Sequence, residues 1–362
     1  MHIEKAVYAF RISGQPVSCM LFGHGHINHT YKIDTDSGKE YILQRINKYV
    51  FKDPMKVMSN ASAVTNHIAG KVDDPRLVLH FIPTLQGKYC HRDSDGEFWR
   101  MYDYVGGFCL DMPECDEDIH QSALAFGRFQ EYLTDFPAET LYETIPEFHN
   151  TVDRYRQLKE SVKADNMGRA ADVSGEIAFA LEYEEECSIL QRMRESGQIP
   201  LRITHNDTKL NNVLLDKTTR KSLCVLDLDT VMPGLSVHDF GDAVRCGAAT
   251  AEEDEPDYQK MKLDVHKFRI FTRGFLEAAP NLSQVEVDNL VLGSFTIAME
   301  LATRFLKDYL DGDLYFKIAY PEHNLIRART QFAMAADIKE KWDALQSIVK
   351  EESQRTKEAA GE

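Results

Sequence analysis

The sequence predicts an α+β chain of two lobes: an N-terminal antiparallel five-stranded sheet with one helix, then a larger, mainly helical C-terminal lobe. Three observations predict it. Up to about residue 105, short apolar runs alternate with turn residues, the pattern of strands and hairpins. From about Asp116 the apolar residues recur at helical spacing. Within that helical part, Leu201 to Thr230 returns to strand, polar loop and hairpin. The boundary falls at a glycine-containing hinge, giving lobes of residues 1–105 and 106–362.

Taken in order, residues 1–15 predict a peripheral helix and residues 17–22 a first strand. Gly23-His24-Gly25-His26-Ile27-Asn28 comes next, and then a second strand, residues 30–35. A glycine-rich turn between two strands can close over phosphates with its N–H groups, which makes Gly23, Gly25 and Asn28 nucleotide-binding candidates. His24, His26 and His29 lack an accompanying Cys or acid, so a surface role or sugar hydrogen bonding fits them better than a metal site. Residues 40–47 are a third strand, where Arg45 is the candidate cation for nucleotide phosphates. That strand has no Lys, and the helix predicted over residues 54–68 has no Glu to pair with a cation. Residues 77–82 and 96–102 complete the sheet. At the hinge beyond it, Met101 and Tyr104 are placed to frame an adenine ring.

The helical part opens on the stripe Ile119, Ala123, Phe126, Phe129 and Leu133. Further helices are predicted over residues 153–163, 174–195, 259–279, 284–310 and 323–350, with a frayed polar tail from 351 to 362. Arg304 stands in the otherwise apolar run ELATRFL, and a buried cation needs a partner, either a core acid or a hydroxylated substrate.

Composition narrows the function. Among 362 residues, 43% are hydrophobic and 28% charged, as in ordinary globular enzymes. A net charge of −16 argues against nucleic acid or an anionic membrane as partner. No run reaches the length of a membrane span, and the start MHIEKAVYAF lacks the basic flank and apolar core of a signal peptide. Seven scattered cysteines without Cys-x-x-Cys fit a reducing, cytoplasmic setting and no zinc site. Oligomeric state leaves no signature in the sequence.

The chemistry is carried by His205-Asn206-Asp207-Thr208-Lys209-Leu210-Asn211-Asn212, held between a short strand and a hairpin. Phosphoryl transfer needs a carboxylate to orient the attacking hydroxyl, and oxygen ligands for Mg²⁺ on the nucleotide phosphates. The spacing His-x-Asp-x-x-x-x-Asn supplies Asp207 as base and Asn212 as metal ligand, and Asp227 at the hairpin's end supplies a second ligand. Asp239-Phe240-Gly241 spells a kinase metal motif, but it comes one connection too late. It reads as a helix start with Asp239 as structural N-cap, holding the loop.

The runs GHGHINHTYKI, YILQRIN, ITHNDTKLNNVLLD, VLDLDTVMPG, HDFGDAVR and ELATRFLKDYLDGDLYFKI resemble the aminoglycoside phosphotransferase and choline kinase group, with its bilobal protein-kinase-like fold. Within that group the chain looks most like the N-acetylhexosamine 1-kinases of bacterial amino-sugar salvage. The resemblance implies ATP and Mg²⁺ as cofactors and phosphorylation of the 1-hydroxyl of GlcNAc or GalNAc. It makes Asp207 the base, Asn212 and Asp227 the metal ligands, and His29 and Arg304 sugar contacts. The missing Lys–Glu pair departs from the wider kinase pattern. Two alternatives stand beside this reading: a kinase of another hydroxylated metabolite, such as homoserine, choline or an aminoglycoside, and a nucleotide-binding pseudokinase.

Overall fold

The structure, a computed structural model, describes residues 2–23 and 28–361. The elements run α1 (His2–Val7), β1 (Pro16–Leu21), β2 (His29–Thr35), β3 (Glu40–Ile46), α2 (Pro54–Ala69), β4 (His91–Arg92), β5 (Phe98–Asp103) and α3 (Asp116–Tyr132). Next come α4 (Thr151–Ala164), α5 (Ser174–Glu182), α6 (Glu184–Cys187), α7 (Ile189–Glu195), β6 (Arg202–Thr204), β7 (Val213–Leu215), β8 (Ser222–Val225) and β9 (Met232–Gly234). The chain ends with α8 (Ser236–Gly247), α9 (Val265–Ala278), α10 (Gln284–Asp288), α11 (Leu290–Asp311), α12 (His323–Glu340) and α13 (Trp342–Ala360). Two compact units emerge: residues 1–109, 132–146 and 212–233 form the first, and residues 110–131, 147–211 and 234–362 the second.

The first unit is built on an antiparallel five-stranded sheet of order β1-β2-β3-β5-β4. Alternation along the strands sorts its faces. Ile33, Tyr41, Leu43, Trp99 and Met101 point into one core, where they meet Ala6, Val7 and Phe10. The N-terminal helix is therefore shorter than expected and part of this core, not peripheral. On β5 the intervening residue Arg100 faces the other way and is buried. Asp53 caps α2 by accepting from the Lys56 N–H at 3.2 Å, and Pro54 occupies its first turn. Asn60 of α2 ties two later segments to the unit: it donates to Tyr142 O at 2.7 Å and to Val231 O at 2.9 Å, and accepts from Tyr142 N at 2.9 Å.

The expected strand over residues 77–82 is not one. That segment makes only an isolated bridge, Phe81 to Tyr102, and the two-residue β4 completes the sheet instead. Pro83 comes directly after it and has no N–H with which to extend a ladder.

The second unit is helical around α11, most of whose residues are buried. The expected stripe of α3 is buried as predicted. Helices α8 and α11 pack closely through glycine: a Cβ on Gly241 would lie 2.5 Å from Gly293 O, and one on Gly293 2.2 Å from Val237 O. The glycine of the Asp-Phe-Gly run therefore serves helix packing. Three helices expected to be continuous are broken, at Tyr183 and Ser188, at Asn289 and at Lys341. The tail is not frayed. Helix α13 runs to Ala360, and buried Glu352 accepts from Arg269 Nη1 at 3.1 Å and Arg273 Nε at 3.0 Å. Among the described residues no helix is long and apolar enough to cross a membrane.

Candidate active site

The candidate residues divide between the units: Asp207 belongs to the second, Asn212 and Asp227 to the first. In the second unit, β6 ends in buried Ile203 and Thr204, and the chain then enters the loop. His205 is fully buried, edge-on to the Phe126 and Phe129 rings of α3 at 5.6 and 5.8 Å. Its Nδ1 accepts from the Asp207 N–H at 3.3 Å, so this histidine shapes the loop from inside the core.

Asn206 stands at φ +63°, uncommon for a residue with a side chain. Asp239 holds it there. One carboxylate oxygen accepts from His205 N at 2.8 Å and Gln130 Nε2 at 2.7 Å, and the other accepts from Asn206 N at 2.8 Å. Asp239 holds the loop as expected, but it is not a helix cap. It lies inside α8, whose N-cap position is Leu235. Burial pushes its carboxyl above the ordinary range. Asp242, one turn on, accepts from Thr208 N at 2.9 Å and from Arg245 at 2.8 Å. Burial would raise the Asp242 carboxyl, but Arg245 and Lys209 outweigh it and hold it low. Asp207 itself stays partly exposed, with Lys209 Nζ 3.1 Å from Oδ1. That carboxylate pushes the Lys209 ammonium upward, so the lysine is charged.

The same unit holds Arg304. Its guanidinium lies 5.3, 5.5 and 5.9 Å from the Phe148, Phe316 and Tyr315 ring centres and 3.7 Å from Glu300. Glu300 is buried and takes His149 Nδ1 at 3.0 Å. Burial alone would raise this carboxyl, yet His149, Arg304 and Arg154 bring it down to about 2. His238 packs on His149 at 5.1 Å, and burial pushes it down to about 3, so it is neutral. The Nε2 atoms of His149 and His238 are buried and have no hydrogen-bond partner among the described residues. The Arg304 environment thus contains one of the two partners foreseen for a buried cation, the core acid Glu300.

In the first unit, β7 and β8 pair with Val213 opposite Val225, and Leu226 N donates to Asn212 O at 2.7 Å. This register brings Asn212 and Asp227 to the same end of the hairpin. Asp227 adopts φ +53°, ψ +60°, and leads into one 3-10 turn, Leu228–Thr230. Within that turn Asp229 is buried and paired with Arg100 Nη1. Its other oxygen accepts from Asn28 Nδ2 at 2.6 Å. An amide oxygen and a carboxylate are hard donors that suit Mg²⁺, which keeps few protein ligands and takes the rest of its shell from phosphates and water. Among the described residues no cluster of three or more His, Cys, Asp or Glu forms a metal cage.

The nucleotide candidates fare unevenly. Gly23 takes φ +76°, which suits glycine, while Gly25, with His24 and His26, lies outside the described residues. Tyr104 is half-buried, with Phe22 edge-on at 5.8 Å and Lys32 over its ring at 4.7 Å. Met101, expected to frame a ring, is instead fully buried in the sheet core because it sits on the α1 face of β5. Arg45 lies 3.9 Å from Glu97, on the opposite face of β3 from Gln44. It is Gln44 that meets the Arg100–Asp229 pair, accepting from Arg100 Nε at 2.8 Å. His29 is exposed at the start of β2. The reading from sequence missed Arg100, Lys209 and Asp242. A charge inside the apolar strand FWRMY was the available signal for Arg100.

A family model described as "Phosphotransferase enzyme family" matches residues 18–266, well over half of the chain. The chain belongs to the phosphotransferase enzyme family. The fold is that of solved members and relatives. A microcompartment-associated aminopropanol kinase matches with TM-score 0.64 and 16% identity, covering 95% of this chain and 98% of that one. An amicoumacin kinase, solved with AMP-PNP and Ca²⁺, matches at 0.62 and 13%, covering 92% of each. A choline kinase from Cryptosporidium parvum matches at 0.56 and 13%, covering 91% of each. Within this phosphotransferase the loop from His205 to Asn212 lies inside the matched range.

Proposed function

We propose that the protein is an ATP-dependent small-molecule kinase that phosphorylates the anomeric 1-hydroxyl of an N-acetylhexosamine. The observation that carries the kinase reading is the loop itself: Asp207 sits partly exposed on a segment whose backbone is clamped by buried Asp239. In this reading Asp207 orients the acceptor hydroxyl and takes its proton as the bond to the γ-phosphorus forms and the bond to the ADP oxygen breaks. Lys209 steadies the Asp207 carboxylate at 3.1 Å. Asn212 and Asp227 would hold Mg²⁺, which supplies charge neutralisation on the phosphates when bound. Gly23, Asn28 and Tyr104 face the nucleotide, and His29 and Arg304 contact the acceptor.

The sugar assignment is supported by the resemblance in the catalytic loop and the Arg304 run, and by the surroundings of Arg304. Aromatic rings match the apolar faces of a pyranose, and a planar guanidinium held by Glu300 offers paired donors to neighbouring hydroxyls. A second reading, an amino-alcohol acceptor, draws on another feature of the same unit. A cavity of about 200 Å³ is lined by Asp111, Glu252 and Glu253 against Lys209 and Arg245, an excess of one acid that favours a cation. A panel of GlcNAc, GalNAc, choline, aminopropanol, homoserine and an aminoglycoside, with ATP and Mg²⁺ and ADP release as readout, separates the two. Turnover on the hexosamines with a ³¹P signal of a sugar 1-phosphate is the expected result. Turnover confined to the amino alcohols would end the sugar reading.

A further inference from the structure

Asp227 occupies a left-handed backbone conformation that a residue with a side chain adopts at a cost of about 1 kcal/mol, so its surroundings must hold it. The chain then makes a single 3-10 turn, and the middle residue of that turn, Asp229, points back into the sheet. There it meets a connected set of polar groups from three strands. Arg100 of β5 pairs with one carboxylate oxygen, and both side chains are nearly inaccessible to water, at 3% and 2% exposed. Arg100 is in turn fixed by Gln44 of β3, which donates to Thr30 Oγ1 of β2 at 2.9 Å. The second oxygen of Asp229 accepts from Asn28, directly before β2, at 2.6 Å. Asn28 is itself anchored, accepting from Asn47 N at 3.0 Å.

We propose that Arg100, Asp229 and Asn28 form a positioning clamp for Asp227: they fix the turn that aims its carboxylate at the nucleotide's divalent cation, and they tie that turn to Asn28 at the start of β2. The proposal rests on Asp227 being a metal ligand. It gives the chain a buried cation–acid pair where the usual strand-three lysine and helix glutamate are missing, but the pair acts on the metal ligand's backbone. Arg100 is required as arginine, because one planar fork reaches Gln44 and Asp229 together and an ammonium cannot. Asp229, two residues beyond Asp227, is a positioning residue and not a further ligand.

The test compares Arg100→Lys, Asp229→Asn and the paired Arg100→Met/Asp229→Leu variant with Asp227→Asn. The paired variant removes both buried charges and leaves none unmatched, so it keeps the fold if the single variants do not. Calorimetry measures ADP binding without metal and with Mn²⁺, which needs no turnover. Urea denaturation checks folding, and the Mg²⁺ dependence of kcat is measured beside them. Binding of ADP alone is the reference against which the effect of Mn²⁺ in each variant is read. Binding with Mn²⁺ should weaken about tenfold or more in the clamp variants, the size typical of groups that orient metal ligands. The Mg²⁺ needed for half-maximal turnover should rise with it. If the folded paired variant binds Mn²⁺ and ADP like the parent while Asp227→Asn does not, the clamp is refuted and the metal assignment survives. If Asp227→Asn itself binds them like the parent, the metal assignment falls, and the clamp with it.

Discussion

Removing the Asp239 carboxylate should cost both stability and turnover, which distinguishes a loop clamp from a helix cap and from a metal ligand. Asp239 is 1% exposed and receives three N–H donors, two of them consecutive backbone amides of the loop that carries Asp207. Hydrogen bonds to a charged group contribute roughly 1.5–3 kcal/mol each, which for three gives about 5–9 kcal/mol before correction. Burying the carboxylate is itself unfavourable, as its raised pKa shows, so part of that is returned when it is removed. A net loss on the order of 2–4 kcal/mol is expected for Asp239→Ala, read from the urea midpoint. The freed loop no longer holds Asn206 at φ +63°, and Asp207 moves with it. A displacement of about 1 Å at a catalytic group costs on the order of a hundredfold in kcat. Asp207→Asn provides the contrast: a fall in kcat of about a hundredfold or more, with an unchanged urea midpoint. A metal ligand at Asp239 would instead give a stable variant whose activity returns with added Mg²⁺ or Mn²⁺. That result, or a destabilised variant with the parent's kcat, would refute the clamp.

Other sites make their own predictions. Arg304→Ala should raise the acceptor KM about ten- to a hundredfold and leave the ATP KM nearly unchanged, with little rescue by Arg304→Lys; an unchanged acceptor KM, with only the melting temperature lowered, would reduce Arg304 to a partner of Glu300. Glu300 has its carboxyl lowered from 4.5 to about 2, so its contribution is complete above the unfolded value and is lost as pH falls through the folded one. That contribution is on the order of 3 kcal/mol, and Glu300→Gln should be less stable than the parent at pH 7, with the gap in urea midpoints closing between about pH 5 and pH 2. Glu352→Gln should lower stability by about 1–2 kcal/mol, because Arg269 and Arg273 lose a buried carboxylate partner; an unchanged midpoint would mean the tail adds nothing to the fold.

How far the sequence could be read depended on whether a feature is set by neighbours in the chain or by neighbours in space. The strands β2 and β3, the loop around Asp207 and the stripe of α3 carry local patterns, and they appear where those patterns put them. The helix breaks at Tyr183, Ser188, Asn289 and Lys341 carry no proline or glycine, so nothing local announced them. Residues 77–82 have the composition of a strand but pair with β5 only at Phe81, just ahead of Pro83. The tail is polar in sequence yet ordered, because Glu352 meets two arginines of α9 about eighty residues earlier. Met101 and Arg45 were assigned by position along a strand, and strand parity decided against Met101 facing a ligand and put Arg45 on the other side from Asp229.

Strand parity also bears on the two acids at the end of the hairpin. In an extended strand Asp227 and Asp229 would share a face, and both would be equally good metal ligands. The chain does not stay extended. It leaves β8 after Val225, turns left-handed at Asp227 and coils for one turn, so the strand alternation that would make the two acids equivalent is broken. The reason lies in Arg100, a guanidinium in the interior of the first unit that would be strongly destabilising without an acid. Asp229 answers that need and is thereby committed. On the proposed reading the protein then offers Mg²⁺ one carboxylate and one amide oxygen, too few to hold the ion alone. The remaining ligands have to come from the phosphates, so metal affinity is coupled to nucleotide affinity, and by linkage each strengthens the other by the same factor. Mn²⁺ should accordingly bind the free protein far more weakly than it binds the protein with ADP present. Equal affinities in the two states would mean that a third protein ligand exists and that Asp229 is not confined to the clamp.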